Sequence, residues 1–243
     1  MDGVHRVALW RRLFAEFLGS ALLATIVIGS GIAAQNLSPG STGLELLENA
    51  LVTGAGLFVI ILVFGSVSGA HFNPVVSLAD AALGKTSWRH AWSYVPSQIA
   101  GCVTGAILAN VMFAGAAVSW STHHRASGPH LVSEVLATAG LVLVIFSLAR
   151  NGKHAFTPAA VGAYITAAYF FTSSTSFANP AITVGRMFSD SFAGIAPVSV
   201  PGFILAQLVG AAVGLGAVKV LYPSPLHQPV APSPHDPSSH HPS

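Results

Sequence analysis

S-F-A-N-P-A-I-T-V-G-R, at residues 176–186, is the stretch that decides the fold. A second stretch, at residues 69–78, reads G-A-H-F-N-P-V-V-S-L and repeats its centre. Asn-Pro is a helix start signal, because Asn accepts a backbone hydrogen bond at the N-cap and Pro fits the first helical position. In both places a long apolar run precedes the motif and only a short helix-compatible piece follows. We therefore predict two short helices that begin at Pro74 and Pro180.

Composition places the chain in the lipid bilayer. Only 7% of the residues are charged and 52% are hydrophobic, whereas a soluble domain is about a quarter charged. The net charge of +2 is too small to indicate a nucleic-acid partner. A single cysteine, Cys102, provides neither a disulfide framework nor a cysteine-based metal site. The sequence predicts an integral membrane protein with no cofactor and no metal.

Six apolar runs are predicted to be transmembrane helices. They cover residues 13–34, 46–66, 91–114, 130–149, 156–171 and 203–221. The fifth run is the shortest, because a polar stretch follows at residues 172–176. We interpret the first run as a retained helix rather than a signal peptide, since Glu16 interrupts its start and its apolar part continues to about residue 34.

Basic residues predict how these helices are oriented. With the N-terminus in the cytoplasm, most basic residues fall on the cytoplasmic side, and only Arg125 and Arg186 fall outside. This satisfies the positive-inside rule and predicts a multi-pass protein of the inner (plasma) membrane with both termini cytoplasmic. The cytoplasmic residues are Arg6, Arg11, Arg12, Lys85, Arg89, Arg150, Lys153 and Lys219.

Two apolar pieces, at residues 74–83 and 180–188, are too short to cross a membrane. At about 1.5 Å per residue each gives roughly 15 Å of helix, which is half the thickness of the hydrocarbon. We predict re-entrant half-helices, because non-helical backbone at that depth must be buried in protein or line water. Residues 223–243 are rich in Pro, Ser and His and are predicted to be a disordered tail; weak metal binding by its histidines is the less favoured interpretation.

The chain contains an internal repeat, with one copy at about residues 13–114 and the other at about 130–222. Each copy has three helices, an odd number, so the second must insert upside down relative to the first. The fold class is therefore predicted to be all-α, with six transmembrane helices and two re-entrant half-helices in an inverted repeat. Gly-x-x-x-Gly pairs are expected to let helices approach closely across the repeat interface. The matched residues are Glu16 and Glu134, Asn73 and Asn179, Gln98 and Gln207, and the pairs Gly101/Gly105 and Gly210/Gly214.

Hydrogen-bond donors without a fixed charge are expected where the two half-helices meet. Two helix N-termini place positive dipole ends there, which disfavours a cation. Each Asn can use its oxygen for the cap and keep an amide N–H for the lumen. Backbone carbonyl groups before each Asn would act as acceptors, which predicts a narrow polar track for a neutral solute. These carbonyl groups belong to Gly69, Ala70 and His71, and to Ser176, Phe177 and Ala178.

At these residues the chain resembles the aquaporin, or major intrinsic protein, family, over about residues 13–222. The motifs are A-E-F-L-G at 15–19, S-G-A-H-F-N-P-V-V at 68–76 and N-P-A at 179–181. The resemblance implies an aquaporin-like channel domain at residues 1–222, a homotetramer with one pore per subunit, and passive conduction of water or small uncharged solutes. It also implies that Glu16 and Glu134 hydrogen-bond the re-entrant loops, a structural role preferred over a proton relay. The implied pore motifs are Asn73, Pro74 and Val75, and Asn179, Pro180 and Ala181.

One departure from the family bears on the solute. In most members an Arg directly follows the second N-P-A, but here that position is Ile182. Counting back without gaps places the other constriction positions at Thr53, Ala167 and Ser176, and the first two are smaller than the Phe and His of orthodox water channels. We therefore predict a wide, less polar filter that admits solutes larger than water. Arg186, on the same helical face and one turn farther out, is expected to be a surface residue at a helix end; snorkelling to the outer mouth is the less favoured interpretation.

The stretch 176–195 also resembles a bacterial aquaglyceroporin subgroup, AqpS-like, that is linked to arsenic resistance and carries an aliphatic residue in place of the Arg. This implies glycerol-like polyols, trivalent arsenite As(OH)3 and water as solutes. The alternatives are an orthodox water-selective channel and a proton-coupled secondary transporter. A transporter needs a titratable group at the midplane, and only His71 lies beside it. An enzyme is not expected, because no nucleophile-base pair is visible.

Overall fold

The computed structural model describes residues 7–223, and over that range all of its regular structure is helical. Arg6 and the predicted tail beyond residue 223 lie outside the described residues. The helices are α1 (Leu9–Leu37), α2 (Thr42–Ser68), α3 (Pro74–Ala82), α4 (Trp88–Met112), α5 (Gly128–Arg150), α6 (Thr157–Phe171), α7 (Pro180–Gly185) and α8 (Val200–Leu221). Short 3-10 helices occur at His154–Phe156, Arg186–Phe188 and Pro197–Ser199.

Within the described range, five helices are long and apolar enough to cross a membrane. These are α1, α2, α4, α5 and α8 with the 3-10 turn that leads into it. Helix α6 corresponds to the fifth predicted span and has 15 residues, or about 22 Å of helix. Helices α3 and α7 have nine and six residues and begin at the two prolines that the sequence indicates. The all-helical membrane fold class is therefore confirmed.

The two halves of the chain pack in the same pattern. Helix α1 packs against α2 and α4, and α5 packs in the same way against α6 and α8. The halves meet where α2 contacts α6 and where the half-helices α3 and α7 touch. Each half-helix lies against both α4 and α8, so it is held by one long helix from each half. This arrangement brings the two Asn-Pro motifs to the middle of the bundle.

The Gly-x-x-x-Gly pairs permit close packing within each half rather than across the repeat interface. A Cβ at Gly101 or Gly105 would overlap carbonyl oxygens of α1, and a Cβ at Gly210 or Gly214 would overlap carbonyl oxygens of α5. The prediction that these contacts cross the repeat interface is therefore wrong. The glycines of α4 pack against α1, and those of α8 pack against α5, in each case the first helix of the same half. The crossing of α2 and α6 depends instead on Gly54, where a Cβ would overlap α6.

Candidate functional site

A cavity of about 1560 Å³ runs through the bundle. It begins among exposed residues such as Ala8 and Lys85 and extends past both Asn-Pro motifs. Its wall contains stripes of residues spaced three or four apart, which lie on one face of each helix. The cavity therefore follows the helix axes. The stripe on α2 consists of Thr53, Leu57, Ile61 and Gly65, and the stripe on α6 of Pro158, Val161, Ile165 and Tyr169.

Each asparagine of the Asn-Pro motifs caps its half-helix. The Asn73 Oδ1 accepts a hydrogen bond from the backbone N–H of Val75 at 3.1 Å. The Asn179 Oδ1 accepts from the backbone N–H of Ala181 at 2.9 Å. A buried N-terminal N–H without an acceptor is costly, so these caps make it possible for a helix to begin inside the bundle.

The same two side chains connect the halves. Asn73 Nδ2 donates to the carbonyl of Ala178, and Asn179 Nδ2 donates to the carbonyl of Phe72, each at 2.8 Å. Both asparagines line the cavity, and within residues 7–223 no protein acceptor is found for the second N–H of either amide. One donor on each side chain is therefore left for a solute.

Five of the six predicted pore-lining carbonyl residues do line the cavity, namely Gly69, Ala70, His71, Ser176 and Phe177. Ala178 does not. Its carbonyl oxygen is already hydrogen-bonded to Asn73, and the residue lies outside the cavity wall. The prediction for Ala178 is therefore corrected to a role in joining the two halves.

The segments before each asparagine share an unusual backbone. The φ angle is positive at Ala70 (51°) and Phe72 (49°), and also at their counterparts Ser176 (51°) and Ala178 (48°). Such left-handed conformations are unfavourable for residues with a Cβ. They persist only where the surroundings hold them, and two buried glutamates supply that support.

Glu16 and Glu134 are fully buried, and each accepts four hydrogen bonds. Two come from backbone N–H groups of the re-entrant segment, one from a serine and one from a glutamine. Neither glutamate lines the cavity, so both act on the backbone and not on a solute. The donors to Glu16 are Ser68 Oγ (2.6 Å), His71 N (3.0 Å), Phe72 N (2.7 Å) and Gln98 Nε2 (2.8 Å). The donors to Glu134 are Ser174 Oγ (2.7 Å), Phe177 N (2.9 Å), Ala178 N (2.9 Å) and Gln207 Nε2 (2.7 Å).

Beyond Asn179, the cavity ends at a cluster of five side chains. The hydroxyl oxygens of Thr53 and Tyr169 lie 3.2 Å apart. Ser176, Ile182 and Arg186 complete the wall, and no residue from 187 to 196 lines the cavity. We call these five residues the end cluster. Three of them, Thr53, Ser176 and Ile182, are constriction positions that the sequence indicates.

Ala167, the fourth predicted constriction position, does not belong to the end cluster. It is exposed on the outside of α6, whereas the lining stripe of that helix passes through Ile165 and Tyr169. Counting without gaps therefore placed this position two residues early, on the opposite side of the helix. Because the side chain found in the cluster is a tyrosine, the expectation of a small residue there is wrong.

Arg186 is buried in the cavity wall and is not a surface residue. Its exposed fraction is 2%, its Nε donates to the carbonyl of Ala193, and its guanidinium carbon lies 3.4 Å from the centre of the Phe177 ring. The expectation of a surface residue is therefore wrong, and a positive charge lies in the cavity wall one helical turn beyond Ile182. The sequence indicates that Arg186 lies on the same face as Ile182, because the two are four residues apart and such residues share one face of a helix.

The opposite mouth of the cavity carries charges of both signs. Asp80, Lys85 and His154 line it, together with His71 nearer the centre. Partial burial lowers the pKa of Lys85, while the nearby Asp80 opposes that shift. The His71 Nδ1 lies 3.0 Å from the Ser77 Oγ. Among residues 7–223, no group of three or more His, Cys, Asp or Glu side chains is placed to hold a metal ion.

Comparison with known proteins relates this geometry to one family. The family model described as major intrinsic protein matches residues 3–178. Over 213 residues the chain is 44% identical to aquaglyceroporin AqpS of Rhizobium meliloti (strain 1021), which covers 88% of this chain and 91% of that protein. It is 29% identical to the glycerol uptake facilitator protein of Pseudomonas aeruginosa over 95% of each chain.

A solved structure shows the same fold. The X-ray structure of the aquaglyceroporin from Plasmodium falciparum superimposes with a TM-score of 0.71 and 24% identity. The match covers 89% of this chain and 98% of that chain, so it extends over both halves of the bundle.

Proposed function

The chain belongs to the major intrinsic protein family, and we propose that the cavity through its two Asn-Pro motifs is the solute pore. The protein is a multi-pass membrane channel, not an enzyme, and it passes small solutes such as glycerol and water passively. One observation supports the position of the pore above all others. Asn73 and Asn179 each donate to the re-entrant segment of the other half while lining the same cavity.

The protein groups along the proposed pore favour neutral solutes. The free amide N–H groups of Asn73 and Asn179 are donors that carry no charge. The two buried carboxylates, Glu16 and Glu134, face the backbone and are occupied by four donors each. A proton-coupled transporter would need a titratable group that changes partner during transport. His71 is the nearest group of that kind, and its ring is tied to Ser77.

The proposed solutes are water, glycerol-like polyols and trivalent arsenite. As(OH)3 is neutral and presents three hydroxyl groups, as glycerol does, so the same donors and acceptors serve both. The relative with 44% identity is named an aquaglyceroporin, which supports passage of solutes larger than water. Ile182 supports the same proposal, because it leaves an aliphatic wall where most family members have an arginine.

We propose one channel domain at residues 1–222, composed of repeats at about 13–114 and 130–222. The matched hydrogen bonds of the two halves support this division. We further propose a homotetramer with one pore per subunit in the inner membrane, with both termini cytoplasmic. The support for the orientation is that Arg12 and Lys85 line the same mouth of the cavity. Two glutaraldehyde cross-linking series, in detergent and in native membranes, test the assembly: a ladder that stops at two copies contradicts the tetramer.

Stopped-flow light scattering on proteoliposomes tests the channel. Water, glycerol, urea and arsenite are each offered with and without a pH gradient, and empty liposomes give the background. We expect glycerol and arsenite to enter without a gradient. A strict gradient requirement would identify a transporter instead, and passage of water alone would identify an orthodox water channel.

A matched pair of variants tests the position of the pore. Thr53→Leu and Ala167→Leu each introduce a leucine into a helix, but Thr53 lines the cavity and Ala167 faces outward. We expect Thr53→Leu to reduce glycerol flux severalfold, while Ala167→Leu leaves it at the wild-type rate. The reverse result would mean that solutes take another route.

A further inference from the structure

We propose that Arg186 is the specificity-determining residue of this pore. Its guanidinium group repels cations and donates hydrogen bonds to the hydroxyl oxygens of a neutral solute, from a position one turn beyond Ile182. This inference rests on the proposed pore and assigns its selectivity to a residue that lies outside the family's filter position.

The Arg186 guanidinium is held in place on two sides. Its Nε donates to the carbonyl of Ala193, and its guanidinium carbon lies over the ring of Phe177, 3.4 Å from the ring centre. That ring is in turn packed edge-on against Phe203, with ring centres 5.1 Å apart. The backbone at Arg186 is also fixed, because its carbonyl accepts from the N–H of Ile195 at 3.3 Å. A group fixed in this way loses little entropy when it binds a solute.

The outer nitrogens of Arg186 are left free by these contacts. Within residues 7–223 no protein acceptor is found for either Nη group, although the side chain as a whole is buried. The Nη atoms are not sealed off as buried unpaired atoms would be, and Arg186 lines the cavity, so these N–H groups can donate to a solute oxygen that reaches them. Their planar fork matches two oxygens on neighbouring atoms, as a polyol presents them.

No carboxylate of the described chain neutralises this charge at contact distance. Glu134 is the buried acid of the same half, and its oxygens are occupied by four other donors. A fixed positive charge that is poorly screened by solvent raises the free energy of a nearby cation steeply. Arg186 therefore favours neutral solutes over cations of the same size.

The neighbouring side chains supply what a hydroxyl group needs besides a donor. Ser176 lines the cavity, although its Oγ is itself buried and has no hydrogen-bond partner within residues 7–223. The Thr53 and Tyr169 hydroxyls lie in the same end cluster. A hydroxylated solute can therefore accept from Arg186 and donate to the Thr53 or Tyr169 hydroxyl. A solute that only accepts, or only donates, leaves one of these groups unpaired.

Three variants in proteoliposomes test the proposal. Arg186→Leu removes the charge, Arg186→Lys keeps it without the planar fork, and Arg89→Leu is the matched control, since Arg89 is exposed and lies off the cavity. The readouts are glycerol flux, water flux and uptake of labelled methylammonium. Uptake is measured at acidic pH, where the amine is protonated, and is driven by an inside-negative potential.

We expect Arg186→Leu to raise the methylammonium-to-glycerol flux ratio by about tenfold or more. Arg186→Lys should keep methylammonium out and lower the glycerol-to-water flux ratio, because an ammonium group lacks the bidentate fork. Arg89→Leu should match the wild type in every readout. These results would support Arg186 as both cation barrier and solute donor.

An unchanged methylammonium-to-glycerol ratio in Arg186→Leu would overturn the proposal. Should that variant fail to elute as the wild type does in size-exclusion chromatography, Arg186→Lys decides, and an unchanged glycerol-to-water ratio there overturns the donor role. Loss of glycerol flux in the wild type itself would contradict the proposed pore instead, so the two failures are distinguishable.

Discussion

The two re-entrant segments, at residues 69–83 and 175–188, are held by the same contacts but bring different side chains to the cavity. Each residue of the second segment carries a number 106 higher than its counterpart, as Asn179 does relative to Asn73. The agreement extends beyond the caps. Gln98 donates to Ser77 at 3.0 Å, and Gln207 donates to Thr183 at 2.9 Å, each in addition to its glutamate. These buried, paired contacts define the scaffold of both halves.

The differences lie where the segments face the cavity. His71 corresponds to Phe177, and Asp80 corresponds to Arg186. The first pair exchanges a polar ring for an apolar one, and the second exchanges a negative charge for a positive one. Residues that match in both halves therefore hold the backbone, while residues that differ distinguish one end of the pore from the other. Substitutions at matched residues and at differing residues test this rule.

The largest effect is expected from the matched glutamates. In Glu134→Gln the new amide group donates where Ala178 N–H and Gln207 also donate, so buried donors lose their acceptor. Each such loss costs about 1–3 kcal/mol, and we expect a lower thermal unfolding temperature and loss of most glycerol flux. Glu16→Gln should have the same effect, because its four donors are of the same kinds.

Glu48→Gln is the control for these variants. Glu48 accepts a hydrogen bond from Ser38 Oγ at 2.7 Å but none from a re-entrant segment. Its unfolding temperature and glycerol flux should stay close to the wild type. A large effect of Glu134→Gln together with a small effect of Glu16→Gln would break the equivalence of the two halves.

An intermediate effect is expected when an arginine is placed at matched aliphatic positions. Val76 and Ile182 are counterparts that both line the cavity, and each lies four residues before the charged residue of its re-entrant segment. Ile182→Arg places a second cation beside Arg186, so we expect glycerol flux to fall by about tenfold, more than water flux. Val76→Arg places a cation beside Asp80, and an ion pair at this spacing on a helix contributes about 0.2–0.5 kcal/mol.

Stopped-flow measurement of glycerol and water in the two arginine variants decides the comparison. We expect the fall in the glycerol-to-water ratio to be larger in Ile182→Arg than in Val76→Arg. Equal ratios would show that added volume matters and the existing charge does not. An unchanged ratio in Ile182→Arg would mean that Ile182 does not line the narrow part of the route.

Local signals made much of the fold predictable. Asn-Pro at two places identifies the starts of α3 and α7, since capping depends on neighbouring residues alone. The position of Tyr169 was not predictable by counting, because the segment between α6 and Asn179 can gain or lose residues without changing either end. The burial of Arg186 depends on Ala193 and Phe177, and no pattern at residue 186 itself indicates those contacts.

The glycine pairs show the same limit of prediction from sequence. Their spacing identifies Gly101 and Gly105 as sites of close helix packing, and the structure places backbone against both. Spacing does not say which helix approaches. The partner is α1 of the same half, a choice set by how the three helices of a repeat pack together.

The smallest effect is expected from the counterpart rings. Phe177→Leu removes the aromatic face from Arg186, and a cation–π contact of this kind is worth about 0.5–2 kcal/mol. Arg125 also approaches this ring, at 5.5 Å, but it keeps hydrogen bonds to the carbonyls of Phe192 and Gly194. Among the residues that the structure describes, Arg186 keeps only the hydrogen bond to the Ala193 carbonyl, so it is the residue that loses its position.

His71→Leu completes the comparison. The His71 ring packs against Tyr94 with ring centres 5.4 Å apart, and within residues 7–223 no arginine or lysine is found over it. We expect methylammonium uptake to rise a few-fold in Phe177→Leu and to stay at the wild-type level in His71→Leu. Size-exclusion chromatography confirms that both variants are folded. Equal uptake in the two variants would mean that Arg186 holds its position without the ring. A rise confined to Phe177→Leu would show that an aromatic residue of the second half orients a positive charge that has no counterpart in the first half.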